Sequence, residues 1–250
     1  MSTIWNLHFL GVGNASAVEL GSASAVLERD GEPVLMIDCG QEALTAYIKR
    51  YGKPPQAVFI THTHLDHVAG MERLFVQHYF EPALRGRCRV YVPATLVPWL
   101  QTRVADYPGV IAEGGANYWD AFQLIPHRRG FWHEDLWFDV FAVRHHAPDT
   151  AFGICLRSSF IYTGDTRPIP EVLTAIGTGD EPIAHDCGLV GNPSHSGIDD
   201  LEREYPPELL ARLHLYHYGS IADAKTLASR GYRVVHMSES LALSAPMLLP

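Results

Sequence analysis

Thr61-His62-Thr63-His64-Leu65-Asp66-His67 follows directly on the apolar run Ala57-Val58-Phe59-Ile60. The residues over 66–79 then place Met71, Leu74, Phe75 and His78 on one helical face. The stretch therefore reads as a buried strand, a short turn and a helix. In extended chain the period of two points His62 and His64 to the same side. Asp66 and His67 come from the first helical turn, so four ligand-type side chains can converge on one small volume. Imidazole suits zinc and other borderline divalent metals, and a carboxylate completes the set.

Around this segment the pattern is that of an α/β chain. Strands are expected at 5–10, 23–29 and 34–37, with Asp30-Gly31-Glu32-Pro33 as a hairpin signal between the last two. A helix over 41–50 ends before Gly52. Further strands are expected at 57–60, 89–92, 137–144, 152–156, 160–163, 183–184, 213–216 and 233–236. Residues 100–136 read as a loop-rich insert with many aromatics, within a single domain over 1–250. Strands alternate with helices after residue 40, which implies mixed strand pairing.

Composition narrows the partners. The 250 residues carry 19 Lys plus Arg against 28 Asp plus Glu, a formal charge of −9. That balance works against non-specific binding to nucleic acid, whose phosphates need a basic surface. No apolar run reaches the roughly 18 residues of a transmembrane candidate. The start, Met1-Ser2-Thr3-Ile4-Trp5-Asn6, has no basic region leading into an apolar stretch, so no secretory signal is expected. Cys39, Cys88, Cys155 and Cys187 form no C-x-x-C pair and are expected to be reduced thiols of a cytoplasmic protein. The unusual number is 14 histidines, several of them clustered, because histidine is the commonest metal ligand.

The His-x-His-x-Asp-His motif is the signature of the metallo-β-lactamase-fold superfamily, which the chain resembles from about residue 7 to 220. The other parts of that superfamily's dinuclear site occur in order. Arg144-His145-His146-Ala147-Pro148, Thr163-Gly164-Asp165-Thr166 and Leu215-Tyr216-His217-Tyr218-Gly219 each end a strand candidate. Asp38, closing Leu35-Met36-Ile37-Asp38, resembles the early aspartate that packs behind the site. The resemblance implies a four-layer αβ/βα sandwich with two mixed β-sheets face to face and metals at one edge. It assigns one metal to His62, His64 and His145 and the other to Asp66, His67 and His217, with Asp165 bridging. Related sequences read His-x-x-Pro, and Pro148 then selects His145 over His146. Two Zn2+ are implied, with Mn2+ or Fe possible because N/O donors select weakly among metals. Such ions sit about 3.5–4 Å apart and bring the pKa of a shared water towards about 7.

Within the superfamily the chain resembles the ribonuclease Z-like and cyclic-nucleotide phosphodiesterase branch. The opening Phe9-Leu10-Gly11-Val12-Gly13-Asn14-Ala15 and the spacing His145-x-x-Pro148 with Gly153 carry that likeness. Ile183-Ala184-His185-Asp186-Cys187 sits where the branch has a His-Glu pair that helps protonate the leaving oxygen. Asp66 and His185 are accordingly the candidate catalytic residues. The insert is acidic rather than basic, which disfavours a bulky polyanion. The expected activity is hydrolysis of a small, cyclic nucleotide phosphodiester, by a homodimer as is common in the branch. RNA 3′-processing, or a lactonase or thioesterase activity, are the alternatives for the same ligand set, which leaves the substrate open. Tyr118, Trp119, Phe131, Trp132 and Trp137 could supply a stacking surface for a base, or belong to a loop packed on the core. His195, in the turn Asn192-Pro193-Ser194-His195, could reach the site. His78 is read as a core or subunit-contact residue, while His8, His127, His133, His214 and His236 have no ligand spacing.

Overall fold

In the computed structural model, residues 3–106 and 115–248 are described, so part of the expected insert, 107–114, lies outside the described residues. The first sheet begins as an antiparallel meander of β1 (Trp5–Gly11), β2 (Ser24–Arg29) and β3 (Glu32–Ile37). Asp30 and Gly31 both take positive φ, 53° and 84°, which is what a two-residue hairpin requires to match strand twist. From β3 the chain crosses over through α1 (Gln41–Tyr51) to β4 (Ala57–Phe59), which lies parallel to β3. Helices α2 (Leu65–Val68) and α3 (Gly70–Tyr79) lead to β5 (Cys88–Pro93), again parallel. β6 (Phe122–His127) closes that side, and β14 (Ser240–Leu243) pairs on the far side of β1.

The second sheet repeats the scheme. β7 (Gly130–His133), β8 (Leu136–Ala142), β9 (Phe152–Leu156) and β10 (Phe160–Tyr162) are antiparallel neighbours. β11 (Ile183–Asp186), β12 (Leu213–Tyr216) and β13 (Arg233–Val234) then extend the sheet in parallel. Each sheet has seven strands, in the orders β14-β1-β2-β3-β4-β5-β6 and β13-β12-β11-β10-β9-β8-β7. Their inner faces meet through aromatic contacts, Phe9 of β1 with Tyr216 of β12 and Tyr91 of β5 with Phe131 of β7, at centroid separations of 6.4 and 4.1 Å. Helices flank the pair, giving the metallo-β-lactamase sandwich that the sequence implied. Among the described residues no helix is long and apolar enough to cross a membrane.

Residues 100–136 are a correction. Over the described residues 115–136 the chain is not loop-rich, since β6, β7 and the start of β8 fall there. Pro126 and the turn His127-Arg128-Arg129-Gly130 disguise the strands, but β6 is an edge strand, where a residue without an N–H is tolerated. The four cysteines are buried and free. His78 is buried, with its ring nitrogens beside the carbonyls of Leu84 and Pro55.

Two glycines seat the His62–His67 segment. A Cβ on Gly40 would lie 2.1 Å from the Asp66 carbonyl oxygen, and one on Gly70 would lie 2.4 Å from the Gly40 oxygen. The start of α2 and α3 can therefore press against the end of β3 only because both positions lack side chains.

Candidate metal centre

Every component of the centre lies just past the end of a strand, at one edge of the two sheets. His62 and His64 follow β4, and Asp66 and His67 open α2. His145 follows β8, Asp165 follows β10 and His217 follows β12. Asp38 and His217 both hold left-handed backbone, at φ 59° and 67°, and Gly164 does so just before Asp165. Non-glycine residues in that region cost about 1–3 kcal/mol each and persist where the surroundings over-determine them. Here they turn the chain sharply enough to aim side chains back across the sheet edge.

The donor atoms fall into three overlapping groups that share one carboxylate, the third being Asp165, Asp186, His195 and His217. Atoms of His62, His64, His145 and Asp165 all lie within 4.8 Å of one another, as do atoms of Asp66, His67, Asp165 and His217. Asp165 Oδ2 is 3.5 Å from His62 Nε2, 3.3 Å from His67 Nε2 and 3.4 Å from His217 Nε2. His64 Nδ1 is 3.1 Å from His62 Nε2 and 3.3 Å from His145 Nε2. His145 enters the cluster, while His146 stays on the exposed side, with Nδ1 3.2 Å from Ser194 Oγ.

Hydrogen bonds behind the cluster decide which nitrogens hold lone pairs. Asp38 accepts from the Thr61 N–H at 2.8 Å, the Thr61 hydroxyl at 2.7 Å and His67 Nδ1 at 2.8 Å. Because the Thr61 hydroxyl donates to Asp38, it accepts from His62 Nδ1, 3.0 Å away. His145 Nδ1 donates to the Ser194 carbonyl at 2.9 Å. The Nε2 atoms of His62, His67 and His145 are thereby left as acceptors, pointing at one another and at Asp165. His67 Nε2, His217 Nε2 and Asp165 Oδ1 are buried with no hydrogen-bond partner. Lone pairs and carboxylates crowded together without donors form a site for cations, and the all-N/O donor set fits zinc and its neighbours.

The electrostatics split the histidines: burial opposes charge on His67, but Asp165 and Asp38 raise its pKa well above the usual value. Burial, with His67 nearby, holds His62 well below its usual pKa, and burial takes His145 down to about 4, so both are neutral ligands. Burial works to raise Asp165, but His217, His67 and His62 outweigh it and keep it well below the carboxylate range. Burial likewise opposes charge on His217, but Asp165 and Asp186 pull it up to about 10. The buried carboxylates thus draw positive charge to the place where the groups of donors meet.

His185 does not join them. It is fully buried, with Nδ1 donating to the Asp186 carbonyl at 2.7 Å and Nε2 2.7 Å from the Tyr205 hydroxyl. Alternation explains this: Asp186 on β11 faces the cluster, so its neighbour His185 faces the opposite side. The expected catalytic role of His185 is therefore overturned. The histidine beside the centre is His195, whose Nδ1 donates to Asp186 Oδ2 at 2.8 Å. Asp186 Oδ2 also accepts from the Thr166 N–H at 2.9 Å, and Asp186 Oδ1 lies 3.2 Å from His217 Nδ1. Burial opposes charge on His195, and the hydrogen bond and charge of Asp186 raise its pKa above the ordinary value.

Three adjoining cavities of about 510, 280 and 220 Å3 surround His64, which lines all of them. The middle one holds Asp66, Asp165, Asp186 and His195. The candidate stacking aromatics are not there. Tyr118 and Phe131 are buried, Trp119 donates to Gln101 Oε1, and Trp132 packs against Trp137. Among the described residues the aromatic beside the cluster is Trp99, exposed on the short helix α4 (Val97–Leu100), with Arg103 one turn beyond it. The sequence carried no local signal for either.

The family described as Anti-Pycsar protein Apyc1 matches residues 5–240. A protein of that description from Saccharibacillus brassicae is 33% identical over 223 residues, covering 85% of this chain and 89% of its own length. Among solved structures, a diphosphatase from the PhnP family aligns with a TM-score of 0.77 at 15% identity, covering 98% of this chain and all of its own. The metallo-β-lactamase-fold protein YhfI from Bacillus subtilis aligns at 0.71 and 12% identity, covering 96% of this chain and 99% of its own.

Proposed function

Because this chain belongs to the Anti-Pycsar protein Apyc1 family and is a metal-dependent hydrolase, we propose that it hydrolyses a small cyclic nucleotide phosphodiester. His62, His64 and His145 would hold one divalent ion and Asp66, His67 and His217 the other, with Asp165 between them. When bound, the pair supplies an activated water at neutral pH and offsets charge on the phosphoryl oxygens. Zinc is the first choice for this donor set, with manganese or iron possible.

The observation that carries the reading is the Asp186–His195 pair, opening into the same cavity as Asp66 and Asp165. Ring-opening of a cyclic phosphodiester forms a P–O bond to water and breaks the bond to a sugar oxygen. That alkoxide is a poor leaving group and needs a proton. His195 donates it, and Asp186, fixed by the Thr166 N–H, orients the imidazole and holds its positive charge. Thr61 and Asp38 keep His62 and His67 in the ligating tautomer, and the Ser194 carbonyl does the same for His145. The cavity of about 280 Å3 is on the scale of a small molecule, and the net charge of −9 disfavours a large RNA. The reading includes a homodimer, by resemblance to the branch.

The test uses 3′,5′-cyclic nucleotides and bis-p-nitrophenyl phosphate with zinc-loaded protein. Asp66→Ala is expected to abolish both activities. His195→Ala is expected to slow cyclic-nucleotide hydrolysis by about 10²–10⁴-fold, with a much smaller effect on the nitrophenyl diester, whose leaving group needs no proton. Equal losses on both substrates would remove His195 as the acid. Absence of cyclic-nucleotide turnover alongside cleavage of lactones or thioesters would overturn the phosphodiesterase reading.

A further inference from the structure

The smallest of the three cavities around His64, of about 220 Å3, is a slot between the segment 94–105 and the loop that carries His145. Leu96, Leu100 and Val104 recur every four residues along the segment and are buried, so they hold one face of it in the core. Trp99 and Arg103, also four residues apart, line the slot. The Trp99 side chain is 55% exposed. An indole is a large apolar surface, and here it stands open to solvent beside His62, His64 and His145.

The wall that carries Trp99 is braced from several directions. The Thr95 hydroxyl donates to the Asp149 carbonyl at 2.9 Å, which ties the start of the segment to the His145 loop across the slot. The Trp119 indole N–H donates to Gln101 Oε1 at 2.6 Å. The turn Gln101–Ala105 is wound as a π-helix, with the Asp106 N–H donating to the Gln101 carbonyl. Such turns are rare and are found mostly at functional sites. Arg103, within that turn, lines both the slot and the cavity of about 510 Å3, so it stands where the two adjoin at His64. Among the described residues it is the only Lys or Arg on any of the three cavities.

We propose that the slot receives the nucleobase of the substrate, stacked on the Trp99 indole, and that Arg103 contacts a phosphoryl oxygen beside His64. This assignment rests on reading the centre as a cyclic-nucleotide phosphodiesterase. Every base has a π face, so stacking on Trp99 favours nucleotides over diesters without a base and does not select one base. The Arg103 guanidinium is always charged, and its planar fork suits phosphate oxygens. The larger cavity has no aromatic side chain apart from His64, and Gln41 and Glu42 line it instead. Trp99 and Arg103 bind and orient the substrate, and proton transfer stays with His195.

The experiment compares zinc-loaded wild type with Trp99→Ala, Trp99→Phe, Arg103→Ala and Arg103→Lys. The substrate is cytidine 3′,5′-cyclic monophosphate, and the ligands for fluorescence titration are cytidine monophosphate and ribose 5-phosphate. Trp99→Ala is expected to raise KM about tenfold or more with little change in kcat, and Trp99→Phe to restore most of the loss. Arg103→Ala is expected to raise KM by about the same factor, with Arg103→Lys in between. In wild type, cytidine monophosphate should quench indole emission and ribose 5-phosphate should not, and Trp99→Phe should lose that quench. Zinc content is measured in each variant, so that loss of metal is not mistaken for loss of the slot. If wild type turns over the cyclic nucleotide, an unchanged KM in Trp99→Ala, or a quench that survives in Trp99→Phe, would overturn the base slot. An unchanged KM in Arg103→Ala would remove the phosphoryl contact. No cyclic-nucleotide turnover by wild type would instead overturn the reading of the centre, and the slot's assignment with it.

Discussion

Asp38 never touches the space between the candidate ligands, yet replacing it should weaken metal binding. In Asp38→Asn the amide oxygen can still accept from the Thr61 N–H, which meets Oδ1 at 2.8 Å. The amide nitrogen then falls where Oδ2 now accepts from His67 Nδ1 and the Thr61 hydroxyl, at 2.8 and 2.7 Å. An amide N–H2 can only donate there, so His67 must accept at Nδ1 and carry its proton on Nε2. Nε2 is the atom facing Asp66 and Asp165, and a protonated nitrogen cannot ligate. Loss of such a supporting hydrogen bond costs about 10–100-fold in metal affinity, or about 1.4–2.8 kcal/mol. Backbone strain does not confuse the experiment, because Asp38 has φ 59° and asparagine is well tolerated there. Metal-free protein titrated with zinc against a chromogenic chelator is the assay. The group of Asp66, His67 and His217 should weaken, and that of His62, His64 and His145 should weaken with it, because the Thr61 hydroxyl loses the acceptor that left it to accept from His62 Nδ1. Two zinc ions bound as tightly as in wild type would refute the tautomer argument.

Two further predictions concern stability. Gly40→Ala forces a Cβ to within 2.1 Å of the Asp66 carbonyl oxygen, a backbone atom that cannot swing aside. Overpacking of this kind costs about 1–3 kcal/mol, read as a lower urea midpoint, and an unchanged midpoint would show that the β3–α2 contact is looser than described. Glu181 is buried and accepts from the N–H groups of Ser158, Thr178 and Gly179 and from the Thr178 hydroxyl. Burial opposes its ionisation, but the hydrogen bonds from Ser158 and Thr178 outweigh this and hold its pKa below the usual value. A lowered folded pKa means stability that is present above the unfolded value of about 4.3 and is lost as pH falls through the folded value. Glu181→Gln should therefore cost about 2 kcal/mol near pH 7, with the difference from wild type shrinking in acid. Thermal unfolding at both pH values measures it, and a constant difference would contradict the assignment.

The parts of the fold that the sequence revealed are those in which one local rule acts alone. The strand before His62, the Asp30-Gly31 hairpin and α1 follow from period, turn chemistry and a terminal glycine. β6 and β7 stayed hidden because an edge strand tolerates Pro126 and polar residues that a central strand would reject. The His185 error had a usable signal. If Asp186 faces the centre, strand alternation sends His185 away, and the search for an acid passes to the following loop, where His195 lies. Trp99 and Arg103 were beyond reach, since a surface residue on a short helix gains its role only from what tertiary structure sets beside it.

The candidate ligands are divided between the sheets, with His62, His64, Asp66 and His67 supplied by the first and His145, Asp165 and His217 by the second. The quartet His62, His64, Asp66 and His67 can be placed as soon as β3, β4 and α2 have been made. Neither proposed ion site is complete until Asp165 has been placed by β10, and the second also waits for His217 at the end of β12. During synthesis the chain is therefore committed to most of its topology before it can retain an ion strongly. Possession of the metal would certify that both halves have folded and met, and a truncated or misassembled chain would be disqualified from hydrolysis by the same geometry that permits it in the finished one.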